Sequence, residues 1–106
     1  MDKRTRKRVA TAEAVGASFG TFDMELPVVD LSVDGCRLEV SGTGLLPGYA
    51  IALNFAPGVV TAGTVVWRNG FHAGVRFRRK LKQSFVDELA LEPVLVEVER
   101  NGPLAA

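Results

Sequence analysis

From Val40 to Trp67 the chain carries no charged side chain, yet Gly42, Gly44, Pro47, Gly48, Pro57, Gly58 and Gly63 interrupt it repeatedly. An uncharged stretch of this length crosses a bilayer only as a continuous apolar helix, and glycine and proline at this spacing break such a helix. The stretch must instead fold as short strands joined by turns, so no membrane insertion is expected. The chain opens on charges rather than on an apolar run; no secretory signal is read there, and a cytoplasmic location is expected. Its 106 residues leave room for one hydrophobic core.

Period-two alternation carries the rest of the fold prediction. Cys36, Leu38 and Val40 share one face of a strand, with Arg37 and Glu39 on the other. Tyr49, Ile51, Leu53 and Phe55 alternate with Ala50, Ala52 and Asn54, giving one bulky and one slim face, and Ala56-Pro57-Gly58 closes the strand with turn chemistry. Val59 to Arg68 reads as the next strand. Asn69-Gly70 then predicts a type I′ hairpin that pairs Trp67-Arg68 with Phe71-His72 and puts Phe71, Ala73, Val75 and Phe77 on the apolar face. Residues 9–19 read as a strand. A helix is predicted from about Lys80 to Leu91, where Leu81, Phe85 and Leu89 form a stripe, and a final strand over Val94, Val96 and Val98. Six or seven strands and one helix make a mainly β chain, a small antiparallel barrel or curled sheet with a covering helix.

The net charge of +1 conceals a pattern. Residues 1–8 hold five positive charges against one negative, and residues 76–82 hold five positives; the segments between and after them are acidic. Two basic clusters thus sit on an acidic body, one of them on an arm suited to meeting an anion. A nucleic-acid surface would interleave aromatics with those bases on an exposed face. The alternation assigns Phe71 and Phe77 to the apolar face instead, so no nucleic-acid partner is expected.

Catalysis is not encoded in a recognisable form. Ser32, Asp30 and His72 hold the residue types of a triad, but nothing in the pattern places His72 beside the other two. Cys36 lies on an apolar strand face, the setting of an inert buried thiol. Asp30 and Asp34 lack the run of oxygen ligands of a calcium loop, and one cysteine with one histidine makes neither an internal disulfide nor a zinc box. No metal or cofactor is expected.

Two features survive. Arg4-Thr-Arg-Lys-Arg8 is an R-x-x-x-R spacing at the edge of the first strand, and Asp30-Leu-Ser32-Val-Asp-Gly35 is a D-x-S-x-x-G turn between Val28-Val29 and Cys36-Arg37-Leu38. Each alone is weak, since basic runs and Asp/Ser/Gly turns are common. Together, in this order and one hairpin apart, they resemble the PilZ domain, the bacterial receptor module for cyclic di-GMP. Val65-Val66-Trp67-Arg68 followed by Gly74-Val75-Arg76-Phe77 is similar to that family's paired strands, so the resemblance runs from Arg4 to about Leu91.

The resemblance implies a six-stranded antiparallel split barrel with one C-terminal helix over residues 9–100, a flexible basic arm over 1–8 and a disordered tail over 101–106. It implies cyclic di-GMP binding by Arg4, Arg8, Asp30, Ser32 and Gly35, with Arg6 as an added stacking or phosphate group. Arginine forks onto phosphate oxygens or the guanine O6/N7 edge and stacks on a purine; Asp30 offers an acceptor to guanine N–H groups, Ser32 a donor or acceptor, and Gly35 close backbone approach. The arm would fold over the ligand, and with no effector domain of its own the protein would act through an unidentified effector, as a monomer or a ligand-linked dimer. The alternative is a PilZ-like interaction module that works without nucleotide.

Overall fold

The computed structural model describes residues 8–91. Seven strands follow in order: β1 Val9–Ala10, β2 Ala14–Phe19, β3 Phe22–Leu31, β4 Gly35–Glu39, β5 Ala50–Ala56, β6 Val59–Asn69 and β7 His72–Phe77, before a single helix α1, Gln83–Leu89. All pairings are antiparallel, in the order β1-β3-β2-β5-β6-β7-β4, and β3 pairs β4 as well. That last pairing closes β2 to β7 into a six-stranded barrel, which removes the open sheet edges. The alternating faces supply its interior: Val15, Leu31, Leu38, Val40, Leu45, Leu53 and Val65 are all buried within 1% exposure. The mainly β, six-stranded barrel with one helix near the C-terminus is therefore the fold the sequence indicated.

Three local expectations need correction. The hairpin after β6 pairs Asn69 with His72, so its two loop residues are Gly70 and Phe71 rather than Asn69 and Gly70. Only Gly70 has a positive φ, +62°, which is the pattern of a type II′ turn with glycine at its first central position. Phe71 consequently leaves the apolar face and stands at the turn, 70% exposed. It lies at the far end of β7 from Arg76, so it still does not interleave with the basic cluster.

The helix is also shorter than its stripe. Leu81 donates its N–H to the Val33 carbonyl and Arg78 to that of Ala62, so residues 78–81 are tied to the sheet and turn before α1 begins. At the other end Ala90 is extended and bridges Thr11. Seven residues do not make a helix stable by itself; α1 is held by Val86, which is fully buried, and by Phe85, whose ring meets Phe55 edge-on at 6.1 Å. The third correction concerns residues 9–19, which divide into β1 and β2 around Thr11–Glu13. The strand expected over Val94–Val98, the tail 101–106, and Arg4 and Arg6 lie outside the described residues. Among the described residues, no helix is long and apolar enough to cross a membrane.

Candidate functional site

Antiparallel register lines up one row of residues on the outer wall of the barrel. Trp67 of β6 pairs Gly74 of β7, Gly74 pairs Arg37 of β4, and Arg37 pairs Asp30 of β3. Paired residues share a face. Cys36 and Leu38, flanking Arg37, point inward and are buried, so Arg37 points outward. A register shift between Val65 and Trp67 marks an irregularity in β6, and it leaves both Val66 and Trp67 exposed while Val65 stays inside.

Gly74 and Gly35 shape the floor. A Cβ on Gly74 would lie 2.1 Å from Trp67 Nε1, so the indole rests directly on the bare strand. A Cβ on Gly35 would lie 2.2 Å from the Val75 carbonyl oxygen. Glycine is needed there because β7 runs against the backbone of the turn. The resulting cleft of about 460 Å³ is lined by Arg8, Asp30, Gly35, Arg37, Trp67 and Arg76, among others.

Asp30 is the electrostatic hub. Arg8 donates to its Oδ1 from Nε at 3.0 Å and from Nη2 at 2.7 Å, and Arg37 Nη2 lies 3.1 Å from its Oδ2. Both carboxylate oxygens are thus engaged by guanidinium groups. Arg37 Nε is buried and has no hydrogen-bond partner among the described residues. Ser32, 1% exposed, serves the turn: its Oγ donates to the Gly35 carbonyl at 3.4 Å, accepts from Asp34 N–H at 3.2 Å, and receives Arg8 Nη1 at 3.5 Å. The turn is further closed by Ser32 N–H on the Gly35 carbonyl at 2.9 Å.

Of the residues singled out from sequence, the fold gathers Arg8, Asp30, Ser32 and Gly35 at one place. His72 is elsewhere: it pairs Glu39, four residue pairs along the β4–β7 ladder from Gly35, roughly 13 Å at strand spacing. It does not assemble with Ser32 and Asp30. Cys36 lines the cleft from beneath, and its thiol is raised from 9.0 to about 12, first by burial, with Arg8 lowering it and Asp30 raising it further. Trp67, Arg37 and Arg76 were missed. Gly74 was the available signal for Trp67, because a glycine inside a strand marks a close approach by another group.

A closed antiparallel barrel with a guanidinium-rich, indole-backed cleft on its wall is a small binding domain. The chain belongs to the PilZ domain family, whose model matches residues 2–90. That is a family of the cyclic di-GMP receptor type, made of binding domains rather than enzymes. No curated protein matches the chain.

Proposed function

We propose that this PilZ domain is a receptor for cyclic di-GMP that works as an adaptor, its arm closing over the nucleotide and altering a surface read by a separate effector protein. The observation that carries the reading is the contact of Arg8 with Asp30 and Ser32 across more than twenty residues of sequence, which merges the R-x-x-x-R and D-x-S-x-x-G motifs into one site. Binding is an exchange of partners. Arg8 turns from Asp30 to a ligand phosphate, where its fork gains two charge-assisted bonds. The Asp30 oxygen it vacates then accepts N–H groups from a guanine edge, while Arg37 keeps the carboxylate oriented. Trp67 offers an aromatic face for stacking, Ser32 holds the turn that presents Asp30, and Gly35 lets β7 approach. Arg4 and Arg6 join from the arm.

One observation favours the alternative of a nucleotide-independent interaction module: both Asp30 carboxylate oxygens are already engaged, by Arg8 and Arg37. Isothermal titration of the full chain with cyclic di-GMP, with GTP as control, separates the two. The receptor reading expects saturable heat at micromolar or tighter affinity, absent with GTP and abolished in Arg8→Ala. A folded protein that gives no heat at high nucleotide concentration leaves the interaction module standing.

A further inference from the structure

We infer that Arg76 is a phosphate-anchoring residue of the cleft, the cation that an entering anion meets while Arg8 and Arg37 are still held by Asp30. Three described guanidinium groups line the cleft. Two of them are ion-paired to Asp30. Among the described residues Arg76 has neither an ion pair nor a side-chain hydrogen bond, and it is exposed. Its position is fixed by the β7 ladder, with Gly35 opposite on β4 and Thr64 on β6. Gly35 has no side chain to cover it and no room for one. Arg76 therefore lines the cleft beside the D-x-S-x-x-G turn with no partner among the described residues, on a strand of the barrel rather than on the arm.

The rest of the second basic cluster does not share this setting. Arg78, Arg79, Lys80 and Lys82 are not among the lining residues, and Lys80 lies 4.0 Å from Asp34. Arg76 is two strands across and two residues along from Asp30, where Arg8 docks, about 12 Å at normal strand spacing. Two separated anion points suit a ligand carrying two phosphates better than one with a single anionic end. This specificity rests on the nucleotide reading above; the anion-binding role of Arg76 does not.

The test uses the full chain with Arg76→Ala, Arg76→Lys and, as a control outside the cleft, Arg79→Ala. Arg76→Ala should weaken cyclic di-GMP binding roughly 10- to 100-fold, the scale of a lost charge-assisted hydrogen bond. Arg76→Lys should recover part of the loss, and Arg79→Ala should bind like the wild type. Unchanged affinity in Arg76→Ala, or an equal loss in Arg79→Ala, overturns the inference. Should the wild type bind no cyclic di-GMP, the nucleotide reading falls separately, and inorganic pyrophosphate becomes the probe. A selective shift of the Arg76 Nε–H resonance on its addition supports the anchor, and an unmoved resonance overturns it.

Discussion

Cys36 sits directly under the charged wall of the cleft, and its chemistry follows from that burial. The thiol is raised from 9.0 to about 12. Below pH 9 both the folded and the unfolded chain hold its proton. Between pH 9 and 12 the unfolded chain releases the proton and the folded chain keeps it, so the unfolded state gains about 1.4 kcal/mol per pH unit over that window. Urea unfolding of wild type against Cys36→Ala should therefore show a stability difference that is flat below about pH 8.5 and shrinks steadily above it, at the expense of the wild type. A difference that stays level to pH 11 would mean the thiol is not buried as described. The inert thiol was legible from its place on an apolar strand face. The engagement of Asp30 by two arginines was not, because it needs a residue of the arm and one of β4 to converge on β3, and neighbours in the sequence carry no record of that convergence. Arg37 reads in sequence only as the polar half of an alternation.

Alternation places strands, but turns set their register, and the β6–β7 hairpin separates the two kinds of information. Asn-Gly is a hairpin signal whichever residue leads the loop, so the existence of the hairpin was readable while its phase was not. With Gly70 as the first loop residue, Phe71 is presented to solvent. Gly70→Ala should therefore destabilise the protein by about 1 kcal/mol or more, since an L-residue must take its positive φ. Phe71→Ser should stay within about 0.5 kcal/mol of wild type, as an exposed surface change. Chemical denaturation of the two variants checks this, and a large loss in Phe71→Ser would restore the register expected from sequence. The length of α1 was hidden for a related reason. Its apolar stripe reaches back to Leu81 and the expected helix runs on to Leu91, but the backbone of Leu81 is bonded to Val33 and that of Leu91 to Ala10. Tertiary hydrogen bonds override periodicity at both ends.

The β3–β4 pairing closes the barrel, so a ligand that bridges its wall and its arm binds only the folded domain and should stabilise it. If the receptor reading holds, cyclic di-GMP at 100 times its Kd adds about 2.7 kcal/mol. For a domain of this size that corresponds to a rise in Tm of about 4–8 °C per kcal/mol at the midpoint. Scanning calorimetry with and without nucleotide reads it directly, and an unshifted transition at saturating ligand would contradict binding to the folded state. At this scale alternation made a small antiparallel sheet or barrel legible, and the family resemblance supplied the closed six-stranded form, because closure depends on tilt and register that strand patterning does not carry. The candidate site was legible in part, since the two motifs supplied Arg8, Asp30, Ser32 and Gly35, which the fold brings together, while the glycine floor and the indole resting on it depend on which strands become neighbours. The bridge between Thr11 and Ala90, with Leu91 N–H on the Ala10 carbonyl at 2.9 Å, has a mechanical consequence. The two ends of the described chain run side by side in opposite directions. Tension applied between them would pull the Leu91–Ala10 hydrogen bond open from its end, as a zipper is opened, rather than shear it along its length, so this seam should part before the closed barrel behind it.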